Sequence, residues 1–363
     1  MENNLHAIEM LLAYKKRLEP HLKEYFSLKI DQAGKVDPLA VRTIKIIEKF
    51  VLSGGKRIRP ALVYYGYLAA GGKDSEEIIN ASMSIELTHA FLLIHDDIID
   101  RDFTRHGIRT VHETYRVWGK KIGLSDGEAV HFGNSMAIVT GDYAYAMANE
   151  ILYGIDFKPE IILDALKKIQ AIVARTIPGE MVDVLMGAKG SSTEKEIMRM
   201  HEGKTARYTF EGPLHLGAVL AGQKRNADLL EAFSSYSLPV GKAFQVRDDI
   251  LGVFGSVEKL GKSVGADIIE GKQTLLVLKA LQNGTKKQAR EIKRLLGKKD
   301  LTAEEVEDFR GIVRDTGSLK YSQELSEKLV AEALLALKGI DFKNKEAKNF
   351  LEGIAEYIIK REV

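Results

Sequence analysis

The chain of 363 residues has no cysteine at all. That excludes disulfides, zinc–thiolate sites and a cysteine nucleophile. It also has almost no net charge: 53 Lys and Arg stand against 51 Asp and Glu, a balance of +2. So neutral a chain gives no global reason to bind nucleic acid, and any anion site must come from local clusters. No uninterrupted apolar run approaches the roughly 18 residues of a membrane span. The opening "MENNLHAIEMLLAYKKRLEP" scatters Lys and Glu through an amphipathic pattern and lacks a secretory apolar core. A cytoplasmic protein with no transmembrane segment is therefore expected. Repeats of fixed period, low-complexity linkers and alternating strand-like runs are missing or scarce as well.

What is present reads at helical period. The composition, 45% hydrophobic and 29% charged, is that of a globular chain able to build a large core. Helical stretches are expected at 60–72, 76–100, 136–154, 159–188, 194–222, 227–254 and 272–284, with more toward the C-terminus. The breaks between them are short and polar, among them "AGGKDSE", "GKKIGLSDGEA" and "AKGSSTE". One all-α domain spanning 1–363 is the simplest organisation.

Two acidic stretches stand out. "FLLIHDDIIDRD" (91–102) places Asp96, Asp97, Asp100 and Asp102 directly after an apolar run. On a helix Asp96 and Asp100 lie about 40° apart, while Asp97 is turned about 100° aside. Like charges at that spacing destabilise a helix, and burial adds to the cost. A hard divalent cation reverses the sign, since Mg²⁺ takes one or two carboxylates and fills its shell with water and phosphate oxygens. The competing explanation, a solvated acidic helix end, sits poorly with the preceding "AFLLI". A second pair, Asp248 and Asp249 in "GKAFQVRDDILGVFG", again lies in apolar helical surroundings, with Gln245 about 60° from Asp248. Paired carboxylates on facing helices are how bundles build metal sites. A di-iron site would want well-placed Glu-x-x-His pairs on facing helices; Glu86 and His89 have that spacing, but no well-placed matching pair accompanies them. Magnesium with a phosphate ligand fits better.

The cations form three clusters. "SGGKRIRP" (53–60) offers Lys56, Arg57 and Arg59 on a glycine-led turn into a helix N-terminus, where anions are favoured. "EGKTARY" holds Lys204 beside Thr205, and "GKSVGADIIEGKQT" holds Lys262 and Lys272 around Asp267. No P-loop pattern is present. Taken singly each cluster reads as surface; together they describe a cavity with acids on two walls and cations at the rim. A charge pair at 4 Å contributes about 4 kcal/mol at an effective dielectric near 20. Several such contacts suit the departure of a diphosphate.

Over about residues 40 to 330 the chain resembles the trans-type isoprenyl diphosphate synthases, the polyprenyl synthetase family. The resemblance rests on "GGKRIRP", "HDDIIDRD" followed by "RHG", "GEMVDV", "GKTARY", "FQVRDD" and "GKSVGADIIEGKQT", in the family's order, and is nearest a subgroup rich in geranylgeranyl diphosphate synthases. It implies an all-helical bundle around a central cavity, usually a homodimer, that condenses isopentenyl diphosphate with allylic diphosphates. By position, Asp96 and Asp100 bind two Mg²⁺ ions and Asp248 a third, with Asp97, Asp249 and Asp267 in support. Arg105, Lys204 and Lys262 hold the allylic diphosphate, with Lys272 close by. Lys56, Arg59 and His89 hold isopentenyl diphosphate, and His106 stands where that site commonly has a second Arg, with Arg109 as a possible replacement. Lys204, Thr205 and Gln245 stabilise the carbocation. His89 lies about 20° from Asp96, which fits a shared face. Glu180 replaces a common Gln, and Gly252 stands where the second motif often ends in Asp. The family rule makes Phe91 the floor of the tail pocket, whereas the helical wheel favours Leu92 (about 40° from Asp96, against about 140° for Phe91). A floor at that depth implies a product of farnesyl to geranylgeranyl length, and Asp102 reads as a bystander.

Overall fold

In the computed structural model, which describes residues 2–255 and 265–360, helix starts follow local capping chemistry. Helix α1 (Glu2–Gly34) leads into α2 (Pro38–Leu52), where Asp37 caps the Leu39 N–H and Pro38 takes the first helical position. Then come α3 (Ile58–Ala69) and α4 (Glu76–Ile99), a two-residue hairpin pairing Thr104–Arg105 with Ile108–Arg109, and α5 (Val111–Lys121). A capping box of Ser125 and Glu128 opens α6 (Asp126–Tyr153), so this helix starts ten residues earlier than the periodicity predicts. Helix α7 (Pro159–Lys189) ends at Gly190 in the left-handed region.

The stretch expected as one helix over 194–222 is continuous but not uniform. Helix α8 (Glu194–Met200) widens into a π-helical segment, His201–Glu211, before α9 (Gly212–Leu220). Wide turns of this kind are rare and concentrate at functional sites. Helix α10 (Ala227–Phe254) follows, then the short α11 (Ala266–Glu270), α12 (Leu275–Asn283), α13 (Lys286–Leu295), α14 (Ala303–Asp315), α15 (Ser318–Leu337) and α16 (Lys345–Lys360). Lys262 lies outside the described residues.

Helix α10 joins two apolar clusters. Its Phe233, Tyr236, Val240 and Ala243 pack into the larger one, built on α1 to α7, the π-helical segment, α9, α15 and α16. Its Val246, Ile250 and Val253 enter the smaller one with α12, α13 and α14. Each large apolar side chain so buried contributes about 1.5–3 kcal/mol. Helix α4 is buried nearly all round, and its hydroxyls are satisfied within the helix: Ser82, Ser84 and Thr88 donate to Ile79, Ala81 and Ser84 carbonyls. By length and composition α4 could cross a membrane, yet 72% of its apolar window is buried inside the protein, as in a core helix.

Candidate active site

The site exists because backbones approach closely at glycines. A Cβ on Gly179 would come within 2.3 Å of the Lys204 nitrogen, so α7 and the π-helical segment touch there. That contact delivers Glu180 and Asp183 to Lys204. A Cβ on Gly241 would lie 2.4 Å from the Ala206 Cα, which lays α10 on the same segment. Accordingly the Thr205 hydroxyl donates to Gln245 Oε1 at 2.6 Å, and Gln245 Nε2 donates to Asp249 at 2.9 Å. Residues separated by forty positions thus form one network.

Between α4, α7, the π-helical segment and α10 lies a cavity of about 1090 Å³. It brings together fourteen of the residues singled out in the sequence: Arg59, His89, Phe91, Leu92, Asp96, Asp100, Arg105, Lys204, Thr205, Gln245, Asp248, Asp249, Asp267 and Lys272. Its remaining wall is largely apolar, including Ile177, Met181, Val184, Leu185 and Phe244. Charged groups and oily surface thus share one cavity.

The cations and acids interlock. Lys204 Nζ lies 2.8 Å from Glu180, 2.8 Å from Asp183 and 3.3 Å from Asp96. Burial alone would lower its ammonium, but Asp96, Asp183 and Glu180 together hold it well above its ordinary value. Burial pushes the Glu180 carboxyl up to about 7, against the pull of Lys204. Lys272 Nζ sits 2.7 Å from Glu270, 3.4 Å from Asp100 and 3.5 Å from Asp267; those acids likewise outweigh burial and hold it protonated. Arg105 Nη2 lies 3.3 Å from Asp96.

Four sequence expectations change. Asp97 does not line the cavity: it is fully buried, and Arg105 Nε donates to it at 2.6 Å. Burial pushes its carboxyl up to about 7, with Arg105 opposing. Lys56 is outside the lining too, exposed, with its ammonium 5.2 Å from the Tyr357 ring. His106 sits on the exposed hairpin turn, packed so closely that a Cβ on Gly54 would be 2.9 Å from its ring; it touches the glycine loop rather than the cavity, and Arg109 is exposed. Asp102 is no bystander, since it lies 3.7 Å from Arg105, and its carboxylate oxygens, with those of Asp100 and Glu270, fall within 4.8 Å of one another. Such a set of hard oxygen donors fits a hard divalent cation.

The structure also explains the glycine that ends the second motif. A Cβ on Gly252 would fall 1.9 Å from Asp267 Oδ2, so Asp267, arriving from α11, occupies the room a side chain there would need. Phe91 and Leu92 both line the cavity; Phe91 stacks on Tyr145 at 4.8 Å and meets His95 edge-on at 4.9 Å. Sequence reading missed Asp183 and Glu270. Both lie inside motifs already quoted, Asp183 in "GEMVDV" and Glu270 in "GKSVGADIIEGKQT", and that membership was the signal that could have found them.

The polyprenyl synthetase model matches residues 42–313. The chain belongs to the polyprenyl synthetase family. As in that family, it is a prenyltransferase. Among its relatives, a geranylgeranyl diphosphate synthase from Saccharolobus solfataricus is 34% identical over 313 residues, covering 85% of this chain and 87% of that protein. A geranylfarnesyl diphosphate synthase from Aeropyrum pernix is 30% identical, covering 86% and 92%. Among solved structures, the geranylgeranyl pyrophosphate synthase from Corynebacterium glutamicum complexed with isoprenyl diphosphate and magnesium superposes with a TM-score of 0.90 at 30% identity, covering 96% of this chain and 99% of that one. The polyprenyl synthetase fold thus extends over nearly the whole chain.

Proposed function

We propose that one helical domain spanning this chain condenses isopentenyl diphosphate with allylic diphosphates and releases geranylgeranyl diphosphate. The observation that carries the reading is one cavity lined by acids from α4 and α10, by Arg105, Lys204 and Lys272, and by apolar side chains. Neither a hydrolase nucleophile nor a redox group is needed for that chemistry.

Asp96, Asp100 and Asp248 would hold Mg²⁺, three ions in all, with Asp249, Asp267 and the Asp102–Glu270 pair supporting them. When bound, magnesium supplies Lewis-acid charge at the diphosphate. Arg105, Lys204 and Lys272 would bind the allylic diphosphate and stabilise the charge that grows on it as its C–O bond breaks. Thr205 and Gln245, locked to each other and to Asp249, would present oxygen lone pairs to the allylic cation. Arg59 and His89 would orient isopentenyl diphosphate. Its double bond then attacks the cation, and the proton lost in forming the new double bond passes to the departing diphosphate. Apolar walls exclude the water that would quench the cation. Homodimerisation and a cytoplasmic location belong to the same proposal.

The test is to supply labelled isopentenyl diphosphate, Mg²⁺ and dimethylallyl, geranyl or farnesyl diphosphate, then to separate the products by chain length. Geranylgeranyl product is expected; no incorporation with any primer would overturn the reading. A second outcome, a farnesyl or a longer geranylfarnesyl product, would move the floor of the pocket without changing the chemistry. A non-catalytic partner subunit is disfavoured because Asp96, Asp100, Asp248 and Asp249 share one cavity with Arg105, Lys204 and Lys272.

A further inference from the structure

The Glu86 and His89 spacing on α4 was noticed in the sequence and left without a use. In the structure each of the two grips an arginine from the start of α3. Arg57 pairs with Glu86, the side chains being only 2% and 7% exposed, and Arg57 Nη2 donates to the Val51 carbonyl at 2.6 Å. The backbone of Arg57 is left-handed, with φ of 57°, a conformation a bulky residue holds only when its surroundings impose it. Two residues on, Arg59 Nη1 lies 3.0 Å from His89 Nε2, Nη2 donates to Thr209 at 2.8 Å, and the guanidinium stands 4.6 Å over the Tyr208 ring.

The two rungs differ in what they face. Arg59 and His89 line the cavity, whereas Arg57 and Glu86 do not. Arg59 can only donate, so His89 Nε2 accepts and its proton sits on Nδ1. Arg59 Nε and His89 Nδ1 are both buried without a hydrogen-bond partner. Such donors call for an acceptor, and an anion in the cavity would be one. Burial, reinforced by Arg59, holds His89 well below its ordinary value and so neutral. A buried ion pair is in itself poor evidence for stability, since apolar residues often serve as well. Its value here is geometric: one turn of α4 separates Glu86 from His89, so the first rung sets the height of the second.

We propose that Arg57 and Glu86 are positioning residues: they pin the 53–57 turn in its left-handed form against α4 and thereby hold Arg59 and His89 ready for the diphosphate of isopentenyl diphosphate, which they do not touch. This rests on the assignment of Arg59 and His89 made above. The test uses the full chain with Glu86→Gln, and with Glu86→Gln combined with Arg57→Gln, which leaves no lone buried charge; Arg57→Lys serves if Glu86→Gln fails to fold. The KM for isopentenyl diphosphate is expected to rise about tenfold in each, as for other residues that orient a ligand-binding side chain, with the allylic KM within about twofold. The double variant should regain melting temperature over Glu86→Gln but not the lost KM. Crystal structures of the variants should show the Arg59 guanidinium displaced from His89. Equal changes in both KM values, no change in either, or recovery of KM together with melting temperature would overturn the proposal. If the unmodified chain condenses nothing, the functional reading fails; an undisplaced Arg59 in the variants refutes the positioning pair separately.

Discussion

Two Asp-Asp dipeptides face one another across this cavity, yet they are not equivalent. In the first, Asp96 lines the cavity and Asp97 points into the protein, where Arg105 neutralises it. In the second, Asp248 and Asp249 both line the cavity, and Asp249 is held by Gln245 and lies 3.2 Å from the buried His201. The same two letters therefore give one cavity group and one anchor on α4, and two cavity groups on α10. Neighbouring residues on a helix diverge by about 100°, so what lies behind the helix decides the fate of the second carboxylate. Asp97 meets the Arg105 guanidinium; Asp249 meets an amide of its own helix and the His201 imidazole.

Alanine at Asp96 is the strongest way to break the comparison. Turnover should fall about a thousandfold or more, roughly 4 kcal/mol in the barrier, with little change in melting temperature. An effect below tenfold would remove Asp96 from the proposed ligands. Next, Gly252→Asp restores the commoner ending of the second motif but drives a side chain into Asp267, at 1.9 Å from its carboxylate. Activity should drop about a hundredfold; unchanged kinetics would show that the two acids can share the space.

The two second carboxylates should separate stability from chemistry. Asp97→Ala removes the shortest of the three carboxylate contacts that Arg105 makes and should cost about 2 kcal/mol in denaturant unfolding. Asp249→Asn should leave unfolding nearly unchanged and slow turnover instead. If both variants lose stability alike, the distinction between anchor and ligand fails.

Glu180 offers a smaller, pH-dependent effect. Its folded value of about 7 lies above the ordinary 4.5, so the folded chain keeps a proton there that the unfolded chain releases. Its contribution is fully present below about 4.5 and is lost as pH rises through 7. Melting temperatures taken in chelator across that window should fall for the unmodified chain, and fall less for Glu180→Gln. Parallel curves would contradict the burial argument. Least in rate but plainest in outcome, Phe91→Ala should lengthen the product; a longer product from Leu92→Ala alone would favour the helical wheel over the family rule.

Much of the site was legible along the chain. Apolar periodicity located α4, α7 and α10, because a 3.6-residue period survives any packing. Motif order located the acids and most of the cations, since their chemistry demands those residue types. What could not be read was orientation. Lys56 belongs to a motif but leans on Tyr357, and His106 packs on Gly54, because each follows the surface its own turn presents. Asp102 reads along the chain as a bystander, yet just past the end of α4 it meets Arg105 and lies beside Asp100 and Glu270.

By itself the sequence determined an all-helical chain with two aspartate motifs, since helix period and residue types are local properties, and its motifs carried the resemblance to a prenyltransferase family. Only the tertiary structure decided which aspartates face the cavity, that Asp267 fills the space above Gly252, and that Arg57 reaches Glu86. Those outcomes depend on how closely helices approach and on which charges meet when they do, and close approach at Gly179 and Gly241 is a property of pairs of helices that no single segment carries.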